Sequence, residues 1–295
     1  MMDEGKVTFI GGNIDGEEIR IPYCITAIPV EGNTIRADLA VSADGDFASS
    51  DAGRTWGIEP ISIQASHYPM VCRTEKFYYY FALAGPAGSP TELWYSRQSI
   101  GSLSWNQPET LNKTGAHNLK DTNLRVVAND ETVHVCWLDG RHEKTSFSWT
   151  RPMDGNYEVL YRFRQDSDSR WSKETILSKG LRFAFSPSMS VDGNKLVIAW
   201  AGAKGGGGGR TEYGPSDIYY VTSKDNGASW TKPQQVTHGF KTGITSGRPQ
   251  VALHNGVIHL FYVQGKLNFK KVSAGMVKLN QPPWPIYYQQ RPFPK

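Results

Sequence analysis

The octapeptide Ser223-Lys-Asp-Asn-Gly-Ala-Ser-Trp230 and its near copy Ser49-Ser-Asp-Ala-Gly-Arg-Thr-Trp56 decide the fold of this chain. Both fit the pattern Ser-x-Asp-x-Gly-x-Ser/Thr-Trp. In such a turn the Asp accepts backbone N–H groups, the Gly supplies a positive φ, and the hydroxyls fix neighbouring backbone groups. The Trp packs its large apolar face against a sheet. The pattern therefore predicts a tight, side-chain-fixed turn between two strands.

The same unit of strand, polar turn and Trp occurs twice more in degraded form. The segment from Leu93 to Trp105 keeps Gly101, and the segment from Val159 to Trp171 keeps Asp166. Successive terminal tryptophans are 49, 66 and 59 positions apart, which is the size of a four-stranded blade with loop insertions. We therefore expect four tryptophans to occupy equivalent positions: Trp56, Trp105, Trp171 and Trp230.

A second repeated element, strand, tight turn, strand, occurs at 123–137, 186–200 and 248–262. Period-2 alternation favours strands, and no window of 12 or more residues has a helical stripe. The sequence predicts an all-β propeller with five or six four-stranded blades, in a single domain over 1–295. Five blades are expected at about 22–62, 68–111, 121–178, 185–237 and 246–281. The two chain ends would close the ring or build a short sixth blade.

Composition and charge indicate whether the chain is suited to bind nucleic acid or to enter a membrane. The 295 residues carry a formal net charge of +4 with both signs scattered, so no basic strip suits nucleic acid. The longest apolar runs, 77–84 and 196–203, are too short to span a bilayer, and membrane insertion is not expected. The first residues lack the pattern of an export signal, which leaves cytoplasmic, virion-associated and trimmed secreted forms open.

Metal and cofactor chemistry is not expected. The seven His are dispersed, and His142-Glu143 lacks the second His of a zinc motif. Cys24, Cys72 and Cys136 each lie in a strand-like apolar run, so we interpret them as buried free thiols.

Ligand contacts are expected at the end of the blades opposite the Asp-containing turns. In a four-stranded meander, the loop between strands two and three and the loops between blades lie at that end. Loops on a rigid scaffold are the usual place for ligand contacts. The segments concerned are 41–46, 62–67, 111–121, 138–156, 179–185, 201–216 and 238–247.

The octapeptide turns resemble the Asp boxes, or BNR repeats, of the sialidase (neuraminidase) superfamily. Glu18-Ile-Arg20-Ile-Pro22 resembles the aromatic-Arg-Ile-Pro motif that opens the sialidase catalytic domain, with Ile19 in place of the aromatic residue. The resemblance implies that Arg20 is one of three arginines that clamp the carboxylate of an acidic sugar. Arg248 would be a second. Arg182 is the candidate for the third, with Arg141 and Arg210 as alternatives.

The resemblance also implies catalytic roles. The family places its general acid in the loop that corresponds to 42–47 here, so Asp44 and Asp46 are the candidates. Its nucleophile is a Tyr activated by a nearby Glu. Tyr262 and Glu212 are our candidates for this pair, and the alternatives are Tyr287, Tyr288 and Glu143.

Two functions follow as expectations. One is a retaining exo-sialidase that hydrolyses terminal sialic acid from glycoconjugates. The other is a non-catalytic Asp-box propeller that binds glycans or serves as a structural module of a larger assembly, such as a surface or virion component. A Tyr and Glu pair beside three converging arginines would distinguish the enzyme from the module.

Overall fold

The structure is a computed structural model that describes only part of the chain. The residues described in full or in large part are 67–84, 92–100, 102, 104–112, 124–140, 157–181, 183–203, 216–239, 242–266 and 285–294. The backbone is also described for seven short strands at 7–9, 25–29, 35–37, 46–49, 57–59, 269–271 and 277–279. Within these residues no helix is long and apolar enough to cross a membrane.

The chain divides into two compact units, Met1–Asp121 and Thr122–Lys295. The first unit holds two antiparallel sheets. The first sheet contains β1 (Val7–Phe9), β2 (Ile25–Pro29), β3 (Ile35–Ala37), β4 (Asp46–Ser49) and β5 (Gly57–Glu59), in chain order. The second contains β6 (His67–Arg73), β7 (Phe77–Ala84), β8 (Glu92–Ser99) and β9 (Glu109–Thr110), also in chain order.

The second unit holds three larger antiparallel sheets and a hairpin. The third sheet contains β10 (Arg125–Ala128), β11 (Thr132–Asp139), β12 (Glu158–Gln165) and β13 (Thr175–Ile176). The fourth contains β14 (Phe183–Asp192), β15 (Lys195–Ala203), β16 (Asp217–Ser223) and β17 (Gln234–Gln235). The fifth contains β18 (Ile244–His254), β19 (Val257–Lys266) and β22 (Ile286–Pro292), and the hairpin pairs β20 (Phe269–Lys271) with β21 (Val277–Leu279).

The core of the second unit lies between neighbouring sheets. In the central strand β15, Ile198 and Trp200 pack in a core shared with the third sheet. Val197 and Ala199 pack in a core shared with the fifth sheet. Because successive side chains of a strand point to opposite faces, a strand buried on both faces must be apolar throughout, which explains the uninterrupted run in β15.

The predicted equivalence of the tryptophans is confirmed for the three that the structure describes. In each case the N–H of the residue after the Trp donates to a carbonyl of the third strand of its sheet. The bonds are Asn106 to Arg97 at 2.9 Å, Ser172 to Phe163 at 2.8 Å and Thr231 to Thr222 at 3.0 Å. Trp56 lies outside the described residues.

The predicted end of the fifth blade is wrong. It was expected to finish by residue 281, but its third strand is β22, and 269–279 form a separate hairpin. The chain ends join existing sheets, since β22 completes the fifth sheet and β1 pairs with β2. The reason is that β20 and β21 are inserted between β19 and β22. The alternation of apolar and polar residues in an inserted strand looks the same as in a blade strand. Among the described residues the exposed large apolar side chains all lie on the fifth sheet: Phe261, Ile286, Tyr287 and Tyr288.

The cysteine prediction holds where it can be checked. Cys72 and Cys136 are buried, and Cys136 is a free thiol. Burial raises the pKa of the Cys136 thiol to about 12, so this thiol stays protonated and unreactive. Cys24 lies outside the described residues. The aromatic run Phe77 to Phe81 lies in β7, where its three tyrosines and Phe81 are buried core.

Candidate functional site

The turn at 223–230 has the hydrogen bonds that its sequence predicts. Asp225 Oδ1 accepts the Ser229 N–H at 2.9 Å and the Ser223 hydroxyl at 2.8 Å. The Ser223 hydroxyl oxygen accepts the N–H of Gly227, which has a φ of 85°. Desolvation alone would raise the pKa of Asp225, but the bonds from Ser229 and Ser223 hold it below its ordinary value. The Asp therefore has a structural role.

This turn also packs on the neighbouring sheet. The Trp230 ring meets the Tyr161 ring edge to face, with centroids 4.8 Å apart. The Asn226 amide donates to the Thr132 hydroxyl at 2.6 Å. A Cβ on Gly227 would lie 1.8 Å from the Tyr161 hydroxyl oxygen. Only glycine fits at this position. Through the Trp230 and Asn226 contacts, the turn joins the third and fourth sheets.

The Asp-containing turn lies at one end of the fourth sheet together with the turn between strands one and two. The Asn226 N–H donates to the Asn194 carbonyl at 2.9 Å, and the Asn194 amide donates to the Lys224 carbonyl at 2.8 Å. The end of β15 at Ala203, the start of β16 at Asp217 and residues 236–239 after β17 therefore lie at the opposite end. This is the arrangement expected from the meander.

The described residues include only some of the predicted site residues. Arg20, Asp44, Arg182 and Glu212 lie outside them. Asp46 is described by its backbone alone, as the first residue of β4. Arg248 and Tyr262 are described with their side chains, and they lie in the fifth sheet.

Arg248 lies at an irregularity in β18, the first strand of the fifth sheet; the first strand of each blade is its inner strand. The pairing register shifts between Gly247 and Gln250, so Arg248 and Pro249 together oppose the single residue Tyr262. This is a β-bulge, a feature that redirects side chains and is over-represented beside active sites. Arg248 has a φ of 50°, in the left-handed region that non-glycine residues seldom adopt. Its exposed side chain has no hydrogen bond or ion pair to the described residues.

The same bulge occurs in two other sheets, each time with proline as its second residue. In the fourth sheet it consists of Ser186 and Pro187, and Ser186 has a φ of 51°. In the second sheet it is the Tyr68-Pro69 pair. Our reading of the sequence missed this signal. A proline inside a strand is confined to edges and bulges, so these three prolines were a signal for irregular pairing in β6, β14 and β18.

Tyr262 occupies a core position. Tyr262 lies on β19 opposite the bulge of β18, just as Trp200 lies on β15 opposite the bulge of β14. It is buried among the residues between the fourth and fifth sheets. Its hydroxyl accepts a hydrogen bond from the Gln289 amide at 2.8 Å, and burial raises its pKa despite that bond. Within the described chain, Tyr262 is engaged by an amide rather than by a glutamate.

The inner strands of the fourth and fifth sheets run side by side. The Ser188 hydroxyl accepts the Val251 N–H at 3.1 Å, and the Ser190 hydroxyl accepts the Leu253 N–H at 2.9 Å. These bonds hold the C-terminal halves of β14 and β18 directly against each other.

An acidic residue begins the third blade strand in four successive sheets: Asp46, Glu92, Glu158 and Asp217. Asp217 shows what such a residue does. Its Oδ1 accepts the Thr237 hydroxyl at 3.0 Å and the Gly239 N–H at 2.7 Å, which fixes the chain after the fourth strand. Asp46 holds the same position as Asp217, so a structural role of this kind is an alternative to its predicted role as general acid. Among the described residues, no group of three or more His, Cys, Asp or Glu is arranged to hold a metal ion.

Comparison with known proteins identifies relatives only by structure. No protein-family model matches the chain. No curated protein sequence matches it either.

The structural neighbours are β-propeller glycosidases. The Fusarium graminearum α-L-arabinofuranosidase complexed with arabinobiose has a TM-score of 0.50 at 12% identity, covering 81% of this chain and 75% of that one. The Penicillium chrysogenum α-L-arabinanase complexed with arabinobiose gives 0.49 at 12%, covering 86% and 78%. The Trypanosoma rangeli sialidase complexed with the inhibitor DANA gives 0.48 at 15%, covering 84% of this chain but only 43% of that one.

These neighbours concern the fold. The antiparallel four-stranded sheets, together with the match to the Fusarium enzyme, give this chain the β-propeller fold of that group of glycosidases. The all-β propeller predicted from the repeated turns is thereby confirmed.

Proposed function

We propose that the chain is a sialidase-like propeller that recognises glycans, and that its ligand is an acidic sugar. The single observation that carries this proposal is Arg248, an exposed arginine on a strained bulge of β18 that has no hydrogen bond or ion pair to the residues the structure describes. A guanidinium is always charged, and its planar fork matches a carboxylate bidentately. Strained, exposed residues cluster at ligand sites because the surrounding structure maintains them for that role.

The catalytic form of the proposal is hydrolysis of terminal sialic acid from glycoconjugates. Arg20 and Arg182 would complete the carboxylate clamp with Arg248. Asp44 or Asp46 would protonate the leaving group, and Tyr262 with Glu212 would supply nucleophile and base. The glycosidases among the structural neighbours support a reaction on sugars. The Fusarium enzyme binds arabinobiose in its structure, so arabinobiose is a rational second probe beside sialic acid.

The test of the ligand is binding by calorimetry to sialic acid and to arabinobiose. Arg248→Lys keeps the positive charge, and lysine has the same difficulty with a positive φ as arginine. It loses the planar guanidinium that binds a carboxylate through two hydrogen bonds, so we expect the affinity for sialic acid to fall about tenfold or more. The matched control is Arg170→Lys, because Arg170 is an exposed arginine in the turn between β12 and β13, at the other end of its sheet. Equal affinity of Arg248→Lys and the original chain would overturn the role of Arg248.

A second candidate, a non-catalytic glycan-binding or structural module, is favoured by Tyr262. A nucleophilic phenol must reach the sugar, whereas this one is buried and bonded to Gln289. Release of a fluorescent aglycone from a sialoside, measured from mildly acidic to neutral pH, separates the two candidates. Turnover that Arg248→Lys reduces supports the enzyme. Binding of sialic acid that depends on Arg248, without turnover, supports the module.

A further inference from the structure

The fifth sheet ends on β22, whereas the second, third and fourth sheets each end on a further short strand. In those three sheets the third strand pairs with β9, β13 or β17. Tyr287 on β22 corresponds to Tyr219 on β16, because each pairs with the second-strand residue that lies opposite a bulge. Tyr219 is 2% exposed but Tyr287 is 41% exposed. Within the described chain, the place of a fourth strand beside β22 is therefore open.

The fourth strands of the other sheets satisfy the backbone of the strand beside them. The Ile218 N–H donates to the Thr237 hydroxyl at 2.9 Å, and the Ile218 carbonyl accepts the Val236 N–H at 2.7 Å. Leu93 and Val159 bond in the same way to the residues that follow β9 and β13. Ile286 holds this position on β22, since it precedes Tyr287 as Ile218 precedes Tyr219. Its backbone has no hydrogen bond to any residue that the structure describes.

Alternate residues of β22 direct their backbone groups away from β19. The Phe293 N–H donates to the Gly256 carbonyl at 2.8 Å, and the Pro285 carbonyl accepts the Gln264 N–H at 3.3 Å. Odd-numbered residues therefore face β19, and in an antiparallel pair the residues between them face the other way. An unpaired row of backbone groups is a ready template for a further strand. The outward-facing residues that have both groups are Ile286, Tyr288 and Gln290.

We propose that β22 pairs antiparallel with β22 of a second copy of this chain, which gives a twofold-symmetric dimer with one continuous sheet across the contact. Residues opposite each other in an antiparallel pair have the same hydrogen-bonding direction, so one residue must lie opposite itself. With Tyr288 at the centre, Ile286 lies opposite Gln290 of the partner subunit. All the outward N–H and carbonyl groups of these three residues are then bonded. This inference does not depend on the proposed function.

The charge of the strand favours a second copy as the occupant. Arg291 is the only charged residue of β22. In the pairing centred on Tyr288 it lies opposite Pro285 of the partner subunit, so like charges do not meet. Pro292 has no N–H, which ends the row of donors and limits the pairing to this short stretch. A twofold contact uses both edges at once, so the assembly closes as a dimer.

The side chains at the centre also suit self-pairing. The two Tyr288 rings would lie on the same face, directly opposite each other, and aromatic cross-strand pairs stabilise sheets. Each ring is already held in place within its own subunit. It stacks on Phe261 with centroids 4.8 Å apart, and its hydroxyl lies 2.8 Å from His259 Nδ1. Little side-chain freedom is therefore lost when the strands pair.

The test is the mass of the full chain in solution, measured by sedimentation over a range of concentrations. Tyr288→Lys places two ammonium groups opposite each other, and Tyr288→Glu places two carboxylates there. We expect either change to raise the dissociation constant of the dimer about tenfold or more. An equimolar mixture of the two variants should form a heterodimer, because opposite charges then meet. A folding defect in either variant would not be repaired by mixing.

The matched control is Gln250→Lys. Gln250 pairs with Phe261, which pairs with Tyr288, so the control puts the same charge on the same face but on β18, away from the edge. It should dimerise like the original chain. Gln290→Pro removes an outward N–H and leaves the bonds to β19 in place, so it should weaken the dimer. The thermal midpoint of each variant checks its folding.

Three results would overturn the inference. The first is an original chain that remains monomeric at the highest soluble concentration. The second is a mixture of Tyr288→Lys and Tyr288→Glu that stays monomeric although the original chain dimerises, because the dimer then uses another surface. The third is slow hydrogen exchange of the Tyr288 amide in the monomer, because this chain would then cover its own edge.

Discussion

Single residues in this protein are held for two different purposes, and their surroundings tell which. The Asp225 carboxylate accepts hydrogen bonds from Ser229 and Ser223, so it is bonded within its own turn. Arg248 has no such partners in the described part of the chain and occupies a strained backbone position. The first arrangement stabilises the fold, whereas the second leaves a charged group available to a ligand.

Asp225→Ala should lower the free energy of unfolding by about 1–3 kcal/mol, because the Ser229 N–H and two serine hydroxyls lose their acceptor. Chemical denaturation of the purified protein measures this. Asp168→Ala is the control, since the exposed Asp168 side chain makes no hydrogen bond that holds its turn, and its loss should change stability by less than about 0.5 kcal/mol. Similar losses in both variants would show that the turn does not depend on its Asp.

His134 should make the protein acid-sensitive. Its ring is buried, its Nδ1 lies 2.7 Å from the Tyr161 hydroxyl, and its Nε2 has no partner among the described residues. Burial lowers the pKa of His134 from 6.5 to about 3. Between these values the unfolded chain binds a proton that the folded chain does not, so stability falls as the pH falls, by up to about 1.4 kcal/mol per pH unit.

Denaturation midpoints from pH 7 down to pH 4 test this. His134→Phe should flatten the dependence even if it costs stability at pH 7. His254→Gln should keep the original dependence, because the His254 side chain is exposed whereas that of His134 is buried. An unchanged slope in His134→Phe would assign the acid sensitivity to other groups.

Among the elements, the turns do more than connect strands. The turn at 223–230 packs on Tyr161 of the neighbouring sheet and bonds Thr132 there. The bulges at Ser186 and Arg248 instead interrupt the pairing of β14 with β15 and of β18 with β19. The turn thus holds two neighbouring sheets together, whereas the bulges change the backbone within a single sheet.

Gly227→Ala should be strongly destabilising, by about 3 kcal/mol or more. The new Cβ would lie 1.8 Å from the Tyr161 hydroxyl oxygen, and the residue would also have to keep a φ of 85°. Gly256→Ala isolates the second cost, because Gly256 has a φ of 71° with nothing within 4 Å, and should lose only about 1–2 kcal/mol. Equal losses in the two variants would mean that the turn does not pack on Tyr161.

On the scale of the whole molecule, the end of the chain completes the last sheet. The Phe293 ring is buried in the core between the fourth and fifth sheets, and its N–H donates to the Gly256 carbonyl at 2.8 Å. The fifth sheet therefore depends on a strand that lies beyond the separate hairpin of β20 and β21.

Phe293→Ala should cost about 3–5 kcal/mol through loss of buried apolar contact. Ile286 begins β22, which ends just before Phe293, and its side chain is 74% exposed, so Ile286→Ala should cost less than about 1 kcal/mol. Denaturant titration of both variants measures the difference. If neither variant changes stability, β22 does not complete the fifth sheet.

The sequence by itself determined the class of fold, the turns and the equivalence of the tryptophans. These features are local, because a turn such as 223–230 is fixed by side chains within eight residues of one another. Three features required the tertiary structure: the strand that completes the fifth sheet, the burial of Tyr262, and the contact of β14 with β18. Those features depend on pairings between segments about 25 to 65 residues apart, and alternation along a strand carries no information about its partner.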